Sequence, residues 1–135
     1  MEKSMGVLIT MLLCLISVAA AVRGTAVFYN PPYTPSACYQ YQNKGAMVAG
    51  VSDALWDRGR ACGRRYSVRC TGPTNTAPHP CKANRVVTVT VVDYCRAPCN
   101  GIIDLSRDAF NVIADPNAGN VQIDYRQYVN VNEIS

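Results

Sequence analysis

The sequence predicts a mainly β fold: a small barrel with one or two short helices, stabilised by disulfides. Runs rich in Val, Ile, Thr and Tyr recur along the chain, which is typical of strands. Segments rich in Pro, Gly and Asn separate these runs and supply the turns that reversing strands need. Six cysteines follow the N-terminal region, and an even number fits disulfide pairing. Many short strands, few helices and several cross-links together indicate a small barrel.

Four segments have the composition of strands. One of them, residues 84–94, places Val87, Val89, Val91 and Asp93 at alternating positions, so these side chains share one face. Asp93 therefore ends a row of valines. The four predicted strands are residues 24–29, 65–70, 84–94 and 120–131.

Residues 104–115 carry the clearest helix signal. Ser106 is placed to cap the first turn, and Pro116 prevents the helix from continuing. The apolar residues recur at helical spacing; they are Ala109, Phe110 and Ile113.

A second, shorter helical turn is predicted at residues 52–59. Ser52 is expected to cap it with its side chain, and Gly59 is expected to end it.

Residues 1–21 are predicted to be a signal peptide. An early lysine precedes an apolar run that ends in small residues and is too short for a comfortable membrane span of ~20 residues. Cleavage removes Cys14 and leaves six cysteines for an oxidising compartment, which predicts three disulfides. We expect residues 22–135 to form one secreted domain without a membrane span.

The formal net charge of +4 excludes little by itself. It favours acidic partners such as pectin-like polysaccharides or anionic membrane surfaces, and a charge this small does not indicate nucleic acid. His79, the one histidine, lies between two prolines and is predicted to be an exposed loop residue. Cys95 and Cys99 lack the partners that zinc requires, so no metal site and no cofactor is predicted.

The stretch "GRACGRRYSVRC", residues 59–70, carries four arginines and two cysteines in twelve positions. At the period of a strand, Arg65, Ser67 and Arg69 point to one side and the intervening residues to the other. The arginines are either a solvated face whose long side chains cover apolar surface or a site for an anion or partner, and both interpretations stay open.

Two aspartates are candidate functional residues. Asp93 is predicted at the mouth of an apolar barrel, where a carboxylate is poorly hydrated unless a cation or hydrogen bond compensates. It is alternatively a structural acceptor of backbone N–H groups in the following turn. Asp104 lies two residues before Ser106, where the helix N-terminus stabilises a negative charge, and that alone would explain it.

Four segments resemble, in order and spacing, the plant natriuretic peptide family, also described as EG45-like domain proteins. They are "GTAVFYNPPYTPSACY", "LWDRGRACGRRYSVRC", "VVDYCRAPCNGIIDLSRDAFNVIAD" and "AGNVQIDY". This family is similar to the first domain of expansins, to family 45 endoglucanases and to barwin. The resemblance implies a six-stranded double-psi β-barrel.

The resemblance also implies a disulfide pairing, which the sequence by itself leaves open. The implied pairs are Cys38–Cys62 and Cys70–Cys81, which leaves Cys95 with Cys99. Expansins have a further cysteine where this chain has Arg64 and Arg65, so that bridge is absent.

The "IDLS" segment is similar to the "HFDLS" motif of expansins and family 45 glucanases, whose aspartate donates a proton in the hydrolases; the matching residue is Asp104. Here Ile102 and Ile103 replace the His-Phe pair. Inverting hydrolysis also needs a second carboxylate as base. The matching segment offers Tyr29 and Asn30, and an amide cannot deprotonate water, so the chain is predicted not to be an enzyme.

The leading function that the resemblance implies is a non-hydrolytic natriuretic-peptide-like signal in the apoplast, which modulates ion and water homeostasis and stress responses. The family's active segment corresponds to residues 32–66, with Cys38–Cys62 closing its loop. Its predicted contacts for a cell-surface receptor are Pro32, Tyr33, Cys38, Tyr39, Trp56, Arg60, Arg64, Arg65 and Tyr66.

The alternative is an expansin-like protein that binds cell-wall polysaccharide without hydrolysis. Its predicted groove consists of Tyr29, Asp93, Tyr94 and Asp104, with the Tyr29 ring stacking on a sugar face. A third interpretation, a barwin-like defence protein, shares the barrel, but no motif identifies its chitin or RNA contacts. We expect a monomer without the second, sugar-binding domain of expansins.

Overall fold

A computed structural model describes residues 20–129, so the predicted signal peptide, apart from its last two residues, lies outside the described residues. Two helices, α1 (Asp53–Trp56) and α2 (Arg107–Ile113), accompany the strands. Short 3-10 turns lie at Asp57–Gly59 and Pro116–Ala118. The strands are β1 (Val22–Tyr29), β2 (Val48–Val51), β3 (Arg65–Pro73), β4 (Val87–Tyr94), β5 (Ile103–Ser106) and β6 (Val121–Tyr128).

The strands close into a barrel in the order β1-β5-β2-β4-β3-β6. Two neighbouring pairs are parallel, β1 with β5 and β2 with β4, and the other pairs are antiparallel. The predicted fold class, a mainly β six-stranded double-psi barrel with one or two short helices, is confirmed. Among residues 20–129, no helix has the length and apolar character needed to cross a membrane.

The barrel interior is filled by side chains that alternate along the strands. Val87, Val89 and Val91 of β4 are buried, as their period predicts. The expectation that Asp93 continues their face is wrong, because the register with β2 shifts by one residue after Val91 and the alternation is interrupted there. On β3, Tyr66 and Val68 face inward while Arg65 and Arg69 are exposed, so the predicted division of faces is confirmed.

Helix α2 forms as predicted and closes over the barrel with its apolar stripe. The Ser106 hydroxyl accepts the Ala109 N–H at 3.0 Å and donates to the Ala46 carbonyl at 2.6 Å. It therefore caps the helix and ties it to the segment before β2. The stripe of Ala109, Phe110 and Ile113 is fully buried.

The predicted helical turn at residues 52–59 forms with Ser52 at its N-cap position, but the Ser52 hydroxyl does not cap it. The Ser52 side chain makes no capping hydrogen bond; its carbonyl accepts the N–H groups of Leu55 and Trp56 instead. The helix stops after four residues because Asp57 and Arg58 adopt left-handed backbone angles before Gly59 is reached.

The composition of the chain did not predict strands β2 and β5. Each has four residues, and every residue of β2 is buried, so no polar face reveals a period of two. A short buried run of this kind becomes a strand because strands on both sides supply hydrogen-bond partners.

Three disulfides join Cys38 to Cys62, Cys70 to Cys81 and Cys95 to Cys99. This is the pairing that the resemblance implies. The first ties the loop after β1 to the segment before β3.

Candidate functional site

Two carboxylates lie on the two strands that flank β2, one on each side of Gly50. The backbone register pairs Gly50 of β2 with Asp104 of β5 on one side and with Asp93 of β4 on the other. Paired residues on adjacent strands direct their side chains to the same face. Gly50 thus separates the two acids without a side chain of its own; a Cβ there would meet the Asp93 backbone oxygen at 3.4 Å.

Asp93 anchors the loop that follows β1. Its Oδ1 accepts the backbone N–H of Tyr94 at 2.9 Å and that of Ala37 at 3.1 Å. The neighbouring Cys38 N–H donates to the Val92 carbonyl at 2.9 Å. The structural role considered for Asp93 is therefore present, although one of its two bonds reaches a distant loop rather than the local turn.

Asp104 is the less satisfied of the two acids. Its Oδ1 is buried and makes no hydrogen bond to another protein atom. Burial, with a smaller contribution from the Asp93 charge, raises the pKa of Asp104 to about 6. The N-terminus of α2 was expected to stabilise the Asp104 charge, but its Ala109 N–H group donates to the Ser106 hydroxyl instead. Asp104 is therefore protonated in mildly acidic solution.

Tyr29 completes the cluster at the end of β1. Its hydroxyl is buried and also lacks a protein partner. Burial raises the pKa of Tyr29, and the charges of Asp93 and Asp104 raise it further, so the hydroxyl stays protonated. The ring packs edge-on against Tyr33, with centroids 5.3 Å apart. We call Tyr29, Asp93 and Asp104 the acidic site.

The loop beside the acidic site is fastened to the start of α2. The Tyr33 hydroxyl donates to Asp108 Oδ2 at 2.5 Å, and the Asn30 side-chain oxygen accepts from Arg107 Nη1 at 3.1 Å. Arg107 also lies 5.7 Å from the Phe28 ring centroid. The residue at the matching base position, Asn30, is thus an exposed amide bound to a cation.

A stacked aromatic pair follows Asp93 along β4. Tyr94 and Trp56 lie 4.9 Å apart with an interplanar angle of 19°. The Tyr94 hydroxyl donates to Asp53, which raises the pKa of Tyr94. Trp56 is half-buried and packs against the edge of the hydrophobic core. It connects α1 to the strand that carries Asp93.

The predicted receptor contacts differ widely in exposure. Tyr66 is only 5% exposed and packs in the core against Tyr125, so its assignment as a contact residue is wrong. Its place in the alternation of β3 points it inward, opposite to Arg65. Cys38 is half-buried in its disulfide, while Pro32 is exposed. Tyr39 is half-buried beneath Lys44, whose Nζ lies 4.3 Å from its ring centroid.

The four arginines of residues 59–70 divide between different partners. Arg64 pairs with Asp57 at 2.7 Å and Arg60 with the same carboxylate at 3.5 Å, which lowers the pKa of Asp57. Arg65 instead lies over the Tyr128 ring at 4.3 Å. Arg69 pairs with Asp124 at 3.0 Å.

Sequence reasoning missed Gly50 and Asp108. A lone glycine in a short buried strand is a signal for close backbone approach, but β2 itself was not recognised. Asp108 gave no signal beyond its place in the first turn of α2. Within the described part of the chain, no group of three or more His, Cys, Asp or Glu side chains is arranged to hold a metal ion.

Comparisons with known proteins agree with this architecture. The family model described as lytic transglycolase matches residues 48–125. An EG45-like domain containing protein of Citrus jambhiri is 50% identical over 123 residues, covering 90% of this chain and 93% of that protein. EG45-like domain containing protein 2 of Arabidopsis thaliana is 51% identical over 123 residues, covering 91% and 93%.

Among solved structures, a mutant Clavibacter michiganensis expansin in complex with cellohexaose superimposes with a TM-score of 0.62 at 25% identity. The match covers 82% of this chain and 51% of the expansin, so the chain spans about half the length of that protein. The matched domain model and the extent of identity together show that the chain belongs to the EG45-like domain family, and its residues 48–125 to the wider domain family described as lytic transglycolase.

Proposed function

We propose that the protein is a secreted, non-hydrolytic binder of cell-wall polysaccharide that uses the acidic site. The observation that carries this proposal is the pair of buried polar atoms without protein partners, the Tyr29 hydroxyl and Asp104 Oδ1. A buried polar group without a hydrogen bond costs about 1–3 kcal/mol. A sugar hydroxyl both donates and accepts, so it can satisfy an acid and a phenol together.

The chemical class of the ligand follows from the surroundings of the site. The stacked pair of Trp56 and Tyr94 follows Asp93 in the chain and supplies half-buried aromatic surface. Aromatic rings of this kind pack against apolar sugar faces while polar groups fix the hydroxyls. The fold similarity to an expansin in complex with cellohexaose supports a neutral β-glucan chain. The three disulfides fit an extracellular location.

Binding without hydrolysis fits the positions of the acids. Asp104, with a pKa of about 6, has the character of a general acid. Inverting hydrolysis needs a second carboxylate across the scissile bond, with space for water between. Asp93 lies on the same sheet face as Asp104, one strand further along, and its carboxylate already accepts two backbone N–H groups. Asn30 offers only an amide, which is bound to Arg107.

Calorimetric titration of the oxidised protein with cellohexaose tests the proposal. We expect saturable binding that weakens at least about tenfold in both Tyr29→Phe and Asp104→Ala, because each leaves the sugar one partner short. Asp115→Asn is the matched control: this exposed aspartate caps a turn with its side chain, and asparagine caps equally well.

Absence of binding by the parent protein, or binding that both variants retain, would contradict the proposal. Release of reducing sugars that Asp104→Asn abolishes would contradict its non-hydrolytic part.

A second candidate function is the natriuretic-peptide-like signal at a cell-surface receptor. It is favoured by the exposure of the loop that Cys38–Cys62 closes: Tyr41 is 80% exposed, and the Arg60 side chain is 71% exposed. Saturable, salt-resistant binding to plasma-membrane fractions that Tyr41→Ala/Arg60→Ala abolishes, with unchanged thermal unfolding, would support it. If this variant showed unchanged membrane binding and unchanged ion flux, the signalling function would be ruled out.

A further inference from the structure

A second surface of the barrel carries a concentration of arginines that the acidic site does not use. The charged residues of β1, β3 and β6 are four arginines and one aspartate, a formal charge of +3. All four arginines are exposed. We call these five residues the basic wall; they are Arg23, Arg65, Arg69, Asp124 and Arg126.

The basic wall is organised by the strand register. Arg23 of β1 and Arg69 of β3 both pair with Asp124 of β6, so the three residues form one row across the barrel. Strands are spaced by about 4.8 Å, which sets the two arginine Cα atoms about 10 Å apart. The next outward position of β6 adds Arg126, opposite Ser67.

Asp124 forms an ion pair with Arg69 and leaves the Arg69 guanidinium exposed to solvent. Its Oδ2 holds Arg69 Nη2 at 3.0 Å, and the Arg69 side chain remains 62% exposed while that of Asp124 is 20% exposed. A guanidinium has five N–H donors, so the donors that face away from Asp124 stay available to a second carboxylate. The ion pair therefore fixes the geometry of Arg69 and leaves the surface basic.

A cleft of about 730 Å³ opens at the Arg23–Asp124–Arg69 row. Beyond the row its lining is mainly hydroxyl and amide groups, with Gly24 and Ile123 between them. These polar groups belong to Thr25, Thr71, Thr74 and Gln122. A bulge in β3 between Cys70 and Gly72 interrupts the pairing with β6 beside this lining. The volume is larger than a single small anion needs and lies within the range of about 300–1,000 Å³ that is typical of ligand-binding clefts.

We propose that this cleft binds a polyuronate, a polysaccharide whose rings carry carboxylates, through Arg23 and Arg69. The guanidinium groups pair with the carboxylates, and the threonine and glutamine side chains bond the ring hydroxyls. In the circle of six strands, β6 lies three strands from β2, so the cleft is on the opposite side of the barrel from Gly50. The two surfaces are separate, and this binding does not depend on the proposed function of the acidic site.

A membrane is the competing partner, since basic surfaces also attract anionic lipid. Two exposed apolar side chains lie on the same strands: Val22 precedes Arg23 on β1, and Tyr128 ends β6. Neither lines the cleft, whose lining is mainly polar side chains. A cleft lined mainly by polar side chains fits a polysaccharide chain better than a flat bilayer.

The test is titration of the oxidised protein with a galacturonate oligomer of defined length at about 150 mM salt, where the Debye length is ~8 Å and diffuse attraction is screened. We expect Arg23→Ala/Arg69→Ala to weaken binding at least tenfold. Arg23→Lys/Arg69→Lys keeps the charge but loses the bidentate geometry, so we expect an intermediate loss. Cellohexaose binding should be unchanged in both variants.

Arg60→Ala/Arg64→Ala is the matched control because it removes the same charge from arginines that also share an aspartate, Asp57. Equal weakening by the control pair, binding that survives in Arg23→Ala/Arg69→Ala, or absence of binding by the parent protein would overturn the proposal. So would arginine-dependent binding to vesicles containing about 30% phosphatidylserine that exceeds binding to the uronate.

Discussion

The acidic site and the basic wall show opposite ways of placing charge on one barrel. At the acidic site, Asp104 is half-buried, has an oxygen without a partner and has a pKa raised to about 6. On the basic wall, Arg69 is exposed and its charge is already paired with Asp124. Changes at the acidic site should therefore alter stability and binding together, whereas changes on the wall should alter binding almost alone.

The largest effect that separates the two regions is expected from the loop disulfide. Cys38→Ser/Cys62→Ser should lower the free energy of unfolding by about 2–4 kcal/mol, because the unfolded chain gains freedom. It should also weaken cellohexaose binding, since the loop that places Ala37 on Asp93 is released. Urea unfolding and calorimetric titration measure the two effects.

Cys95→Ser/Cys99→Ser is the control for the loop disulfide because its partners are 4 residues apart rather than 24. A shorter closed loop gives less entropic stabilisation. Both double variants should still bind galacturonate. If the Cys38→Ser/Cys62→Ser protein lost this binding at a temperature where its barrel is folded, the acidic site and the basic wall would not be independent.

The second effect is a pH-dependent stabilisation by Asp104→Asn. Because the pKa of Asp104 is raised, the folded state binds its proton more tightly than the unfolded chain. The resulting penalty is absent below about pH 4, grows as the pH rises towards 6 and is complete above it. The variant should gain about 1 kcal/mol at pH 7.5, since a half-buried group retains only part of a full desolvation penalty.

Thermal unfolding from pH 4 to 8 measures this difference, and about 1 kcal/mol corresponds to a few degrees in Tm. Asp124→Asn is the control on the basic wall and should show no such gain. A parent protein whose stability rises between pH 4 and 6 relative to Asp104→Asn would contradict the raised pKa.

The third effect concerns the loop that flanks the acidic site. Tyr33→Phe removes the hydrogen bond to Asp108 and should cost about 1 kcal/mol, typical of a hydrogen bond to a charged group at a partly exposed site. Hydrogen exchange of the Asp108 amide, which donates to the Tyr33 hydroxyl, should become faster. Unchanged exchange would show that the loop is held by its other contacts.

The smallest effect is expected on the basic wall. Arg69→Ala removes an exposed ion pair and should change the free energy of unfolding by no more than about 0.5–1 kcal/mol, as measured by urea denaturation. The loss should shrink further at high salt. A loss above 2 kcal/mol would mean that the wall belongs to the core architecture, and the contrast between the two regions would fail.

Local pattern predicted the elements whose side chains reveal a period. The alternation in β4, the opposite faces of Tyr66 and Arg65, and the Ser106 cap of α2 were all readable from neighbours in the chain. Strands β2 and β5 were not, because each has only four residues, too few to show a period, and all four residues of β2 are buried. The Ser52 cap failed for a related reason: a suitable residue type does not determine that its hydroxyl is directed at the first turn.

The sequence predicted which residues belong to the candidate site, but it did not predict how they are arranged in space. Tyr29, Asp93 and Asp104 were recognised as candidates, yet their meeting around Gly50 depends on β5, β2 and β4 being neighbours although they are distant in sequence. Likewise, the four arginines of residues 59–70 were visible together in the chain, and only the tertiary structure divided them between Asp57, Tyr128 and Asp124.

By itself, the sequence determined the strand-rich character, the faces of the long strands, helix α2 and the supply of cysteines, since each depends on residues a few positions apart. Barrel closure decided which strands are neighbours. It thereby placed the Asp104 carboxylate, half-buried, beside Gly50 and brought Arg69 to Asp124. The physical reason is that desolvation and charge pairing act through space over a few ångströms, and the chain distances involved, such as Arg69 to Asp124, span tens of residues.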